Sequence, residues 1–274
     1  MEVQSNSCLY HVGDKVADAD TYRLYLCEQA ETKRQCLFQI VITNQENNLL
    51  DRATYILRTF KQYSDALEDE YASVKTDPKD QLNYDLGFPE LIDSFIYKEQ
   101  GSRRVNILAF RNVKKINDVV PLINVTIKDN LRVDLRTSAW IMGKLLKLLD
   151  FVHTQNMSVN LVNGGNILIV PKEHYVLILD WTAVQIHDKG VPAEIQRQEI
   201  AQVAQAVIAV LGGDSEKGIF PDDEEEEVFS EYTDYLLQLT RGSESSADMA
   251  HEKFYEIVDL RWKGFYPFTV KPLS

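Results

Sequence analysis

Long apolar runs are missing from this chain. No stretch approaches the ~20 residues that cross a bilayer as a helix, so no membrane-spanning helix is expected. The first residues carry no basic-then-apolar pattern of the secretory kind, and the expected location is cytoplasmic. Positive charge is in deficit: 29 Lys and Arg stand against 42 Asp and Glu, a net charge of −13. Non-specific nucleic-acid binding needs clustered cations, so that class is set aside. Cysteine is scarce, with Cys8, Cys27 and Cys36 alone. An odd count without metal-ligand spacing points to a reducing compartment and to buried or idle thiols. His11, His174, His187 and His251 show no zinc spacing either. Neither G-x-S-x-G nor a P-loop occurs, which leaves hydrolase and ordinary NTPase chemistry without a motif. Internal repeats and interdomain linkers are also absent.

What is present suits one domain of two lobes. Hydrophobic residues make up 45%, enough for a sizeable core. The pattern predicts strands over Leu9–Val16, Tyr22–Glu28 and Gln35–Thr43, then a helix over residues 49–67. A polar stretch follows over 68–86, with Asp77-Pro78 marking a loop. Paired strands are predicted over Phe88–Ile96 and Arg104–Phe110, completing a five-strand sheet. Later helices are predicted from Thr137 or Ser138, as the cap, to about residue 156, and over 194–211, ended by Gly212-Gly213. Two more follow, over Phe229–Leu239 and Met249–Trp262. The acid run Asp222–Glu227 reads as a solvated loop and helix start, with a docking site for a basic partner as the sharper reading. Tyr266-Pro-Phe268 is expected to pack the tail onto the domain.

Residues 150–183 organise the rest. The helix end Leu149-Asp-Phe-Val-His153 leads into a loop, 156–165, rich in Asn and Gly, residues that tolerate positive φ. Two short apolar runs, Asn166–Val170 and Tyr175–Leu179, are spaced to pair as a hairpin over Pro171–His174, and Asp180 stands at the end. This order resembles the catalytic loop, hairpin and metal-binding loop of the protein-kinase-like superfamily, H-R-D-x-x-x-x-N followed by D-F-G. The D-F-G position reads Asp180-Trp181-Thr182, and the triplet reads Val159-Asn160-Leu161 when Asn166 is the anchor.

The resemblance implies an α+β, two-lobed fold over 1–274. A small antiparallel β-rich N-lobe would span 9–112, five strands and one helix. A compact, mainly helical C-lobe would span 113–274, with residues 111–115 as the hinge. It also implies which groups are gone. Phosphoryl transfer depends on positioning and charge neutralisation. The strand Lys is replaced by Gln39, the helix Glu by Ala53, the acceptor-orienting Asp by Leu161, and the loop Lys by Asn163. The roof turn, Ala17-Asp-Ala-Asp20, has two acids and no glycine. Losing both partners of the Lys–Glu pair strands no charge. Asn166 and Asp180 remain as candidate nucleotide and metal ligands, since magnesium prefers oxygen. Each also has a structural reading: Asn166 bonding the loop backbone, Asp180 capping the next turn. Glu199 falls where the family has an Asp bracing the catalytic loop, and His153 reads as a satisfied core histidine. Trp181 would fill the family's Phe position and pack between lobes, with Trp140 and Trp262 in core or tail-docking roles.

The expected function is a degenerate, catalytically inactive member, a pseudokinase acting as a protein-interaction or regulatory module. No catalytic residue, no metal and no cofactor are then expected. Its partner would be a protein, a kinase or chaperone-like factor, with no nucleic acid and no membrane. The alternative is an atypical serine/threonine kinase holding ATP and Mg through Asn166 and Asp180, with Lys114 or Asp20 recruited for missing groups.

Overall fold

The computed structural model describes residues 1–77, 81–161, 165–221, 226–258, 262 and 266–273, with backbone alone for 226–229. The fold is mixed α+β, in two compact units. The first unit is Met1–Val119 with Asp180–Ala183; the second is Val120–Leu179 with Val184–Ser274.

The first unit is built on strands β1 (Glu2–Gln4), β2 (Leu9–Asp18), β3 (Tyr22–Gln29) and β4 (Gln35–Val41), helix α1 (Asn47–Ala72), and strands β5 (Glu90–Tyr97) and β6 (Arg103–Ala109). Among the described residues the six strands make one antiparallel sheet in the order β1-β2-β3-β4-β6-β5. Five of these strands match the sequence pattern. β1 is an addition, three residues long and held in register by β2, with Val3 opposite Tyr10. Strand alternation sends Tyr10, Val12, Cys27, Cys36, Phe38, Ile40, Val105 and Ile107 into one apolar cluster. Cys27 and Cys36 face each other directly across β3 and β4, both buried.

Helix α1 buries Leu50, Ala53, Ile56, Leu57 and Phe60, the helical spacing of one apolar stripe. It runs on to Ala72, beyond the predicted end at residue 67. The extra turn is Glu68-Asp-Glu-Tyr-Ala72, polar but mostly helix-tolerant, so polarity marked the exposed side of a helix rather than a loop. A buried polar knot docks α1 on the sheet. The Thr54 hydroxyl donates to Asn106 Oδ1 at 2.9 Å, the Ser94 hydroxyl to the same oxygen at 2.7 Å, and Asn106 Nδ2 to the Leu50 carbonyl at 3.2 Å.

The second unit opens with β7 (Val120–Pro121), α2 (Asn124–Ile127) and β8 (Leu131–Val133). Next come α3 (Leu135–Thr154), β9 (Met157–Ser158), the hairpin β10 (Ile167–Val170) and β11 (Tyr175–Ile178), and β12 (Gln185–Ile186). Helices α4 (Ala193–Val210), α5 (Glu226–Thr240) and α6 (Ala247–Val258) and strand β13 (Val270–Pro272) complete it. The hairpin forms at the predicted place, from Ile167 opposite Ile178 to Val170 opposite Tyr175. The cap of α3 differs from the prediction. Asp134, rather than Thr137 or Ser138, is the cap, and its carboxylate accepts from Thr137 N at 2.8 Å. Thr137 and Ser138 lie inside the helix and are buried. Helix α4 ends at Gly212, φ +83°, with Gly213 N donating to the Ile208 carbonyl and Gly212 N to the Ala209 carbonyl. That is the Schellman arrangement, and it needs the left-handed residue that glycine supplies. Strand β13 was not foreseen; it pairs with β8, Val270 opposite Val133. Helix α6 is described to Val258, and the predicted continuation over 259–261 lies outside the described residues. No helix among the described residues is long and apolar enough to cross a membrane.

Candidate functional site

In the first unit, Gln39 and Asp180 both neighbour the phenol of Tyr22. Gln39 sits mid-strand in β4, opposite Asn106 of β6 and Leu24 of β3, and is 2% exposed. Tyr22 begins β3 and is buried. The Asp180 carboxylate and the Gln39 amide are polar neighbours of its phenol. Burial first, then the charge of Asp180, pushes the phenol well above the usual tyrosine range, so the hydroxyl keeps its proton. Asp180 also closes the turn that follows it: Oδ1 accepts from Thr182 N at 2.9 Å and from Thr182 Oγ1 at 2.7 Å. Next to it Trp181, 1% exposed, meets Phe60 of α1 edge-on, ring centroids 4.9 Å apart. Phe60 in turn packs on Phe88 at 5.5 Å.

Ala53 lies on the same helix as Phe60 and is buried, with Thr54 beside it in the polar knot. Positions 39 and 53, singled out in the sequence, thus carry neutral side chains buried in the first unit. Asp20 and Lys114 are exposed on this unit. Tyr22 was not singled out from the sequence, since a tyrosine opening a strand looks like any other β-former. The one available signal was its position directly after the acidic turn at Asp18–Asp20.

In the second unit, Glu199 of α4 holds the loop that follows α3. One carboxylate oxygen takes both Val159 N and Asn160 N; the other meets His153 Nε2 at 2.7 Å. Glu199 is 2% exposed. Three donors on one buried carboxylate offset the cost of removing it from water. Gln202, one turn on, accepts from Leu161 N at 2.7 Å and donates to Asn160 Oδ1 at 3.0 Å. The loop needs this clamp, because Asn156 and Asn160 both sit at positive φ, 58° and 62°. His153 is less satisfied than its core reading implied: Nδ1 is buried without a partner.

Leu161 is fully buried, so an apolar side chain fills its place. Asn166 precedes β10, and its carbonyl accepts from Leu179 N at 3.1 Å, closing the hairpin base. Asn163 and the side chains of the Asp222–Glu227 run lie outside the described residues. Among the described residues no three His, Cys, Asp or Glu side chains gather as a metal cage. No protein-family model matches the sequence, and no curated protein matches it.

Proposed function

We propose that this chain is a two-lobed, kinase-like protein without phosphoryl-transfer activity, a pseudokinase that serves as a protein-interaction or regulatory module. The observation that carries this reading is the placing of the buried Tyr22 phenol beside both Gln39 and Asp180. By the resemblance, positions 39 and 180 would hold the phosphate-neutralising Lys and a magnesium ligand. Here an uncharged phenol neighbours both, and no cation stands at position 39. A triphosphate with its metal needs cations and open oxygen ligands, and these residues do not fit that group. Leu161 adds to the case, because a leucine neither accepts a proton nor orients a hydroxyl. The partner would be another protein, a kinase or a chaperone-like factor.

A thermal-shift titration with ATP and magnesium tests the inert reading. A ligand at a hundred times its Kd stabilises by about 2.7 kcal/mol; the expected result is no shift at millimolar nucleotide. A magnesium-dependent shift that disappears in Asp180→Ala would replace this reading with an atypical kinase using Asn166 and Asp180. The regulatory role is read separately, as a change in a partner kinase's rate that Asp180→Ala leaves in place.

A further inference from the structure

The second unit holds a cavity of about 290 Å³ walled by α3 and α6, apart from the residues considered above. Its lining is cationic in a chain of net charge −13. Arg136, Lys144 and Lys147 recur along one face of α3, and α6 adds the neutral ring of His251. No carboxylate lines it among the described residues, and none pairs with Lys144 or Lys147. Exposed Asp248 of α6, which is not in the lining, bears on His251 and on Asp150. The two lysines, one turn apart, therefore repel each other with no carboxylate partner among the described residues. Burial and then Lys147 hold the Lys144 pKa below the ordinary lysine value.

The remaining wall is aromatic. Trp140 lies against the His174 ring, centroids 4.3 Å apart and planes 32° from parallel. The Arg136 guanidinium stands over Tyr266 at 5.1 Å from the ring centroid. Two polar atoms in this wall, Trp140 Nε1 and His251 Nε2, are buried without a partner. A concave site with aromatic faces, two lysines that no carboxylate pairs and a few polar atoms is the usual form of a small-molecule pocket. Its volume, near the small end of that class, admits about one ring and a head group.

We propose that this cavity binds a small organic anion with a flat aromatic body and a phosphate or carboxylate head. The ring would lie along Trp140 and the head would meet Lys144 and Lys147. A bare inorganic anion would leave the aromatic wall unused, and a neutral ring would leave the lysines unmatched.

The test is calorimetric titration of the full chain with four probes: phenyl phosphate, phenylacetate, inorganic phosphate and benzyl alcohol. One of the two aromatic anions is expected to bind at least about tenfold tighter than either half-probe, and the better of the two identifies the head group. Lys144→Ala with Lys147→Ala is expected to weaken that binding by about tenfold or more. In an NMR titration the indole N–H signals of Trp140 and Trp262, which line the cavity, should move, while that of Trp181 stays. Failure of both aromatic anions to bind at millimolar concentration would overturn the proposal. So would inorganic phosphate binding as tightly, an adventitious ion only, or affinity unchanged in the double variant. A response confined to Trp181 would overturn it as well.

Discussion

A buried phenol beside an amide and a carboxylate is not matched by a bare ring. Tyr22→Phe removes that hydroxyl, while Asp180 keeps its bonds from Thr182. Urea unfolding should register a loss of about 0.5–1.5 kcal/mol. Glu199→Ala strips acceptors from Val159 N, Asn160 N and His153 at once. The expected loss is about 3–5 kcal/mol, the scale for breaking a buried charged network. Glu199→Gln keeps one carbonyl acceptor and should lose less. The thiols give a third check. Cys27 and Cys36 are buried face to face, whereas Cys8 is half-buried and accepts from Gln29 Nε2 at 3.1 Å. A thiol reagent should label Cys8 first in the native protein, and all three cysteines only after unfolding. At this scale residue identity was legible directly, at Gln39, Ala53 and Leu161 among others. Their neighbours were not, because Gln39 lies opposite Leu24 and Asn106 only through strand pairing across distant parts of the chain.

Helices and strands were legible where period and punctuation agreed. The β10–β11 hairpin had two apolar runs and Pro171 between them, and α4 had an apolar period ended by glycine. The three-residue strands β1 and β13 are too short to carry a period, and each exists through its partner, β2 or β8. The α3 cap was misplaced because Thr137 and Ser138 look like caps, and only the turn geometry shows Asp134 doing that work. The Gly212 stop can be tested. A Cβ there would stand 2.9 Å from Leu273 Cδ1 and 3.2 Å from Arg132 Cδ, at a φ that disfavours side chains. Gly212→Ala should therefore cost about 1–3 kcal/mol, seen as a lower denaturation midpoint. Helix α6 carries a pH response. Burial first, then Lys147, lowers His251 from 6.5 to about 4, with Asp248 opposing. The folded state thus favours the neutral ring more than the unfolded chain does. Its stabilisation is complete above pH 6.5 and is lost as pH falls toward 4. The ceiling is about 3 kcal/mol, reduced because solvent reaches the half-buried ring. His251→Gln should flatten stability over that window. Part of the slope should remain, because burial also lowers His174.

Across the whole chain, composition excluded more than it assigned. A net charge of −13 spoke against nucleic acid, yet it concealed the cationic lining of one cavity, since a sum over all residues averages out local clusters. The order of strands, helix and hairpin could be read from the N-terminus onward. The inclusion of Asp180–Ala183 in the first unit could not, because it depends on a return of the chain that no local pattern encodes.

The burial of position 39 bears on redesign. A lysine grafted there would enter a place 2% exposed to solvent, beside a phenol that keeps its proton. An interior ammonium costs far more than the amide it displaces, so the graft alone would be expelled from the sheet or held uncharged.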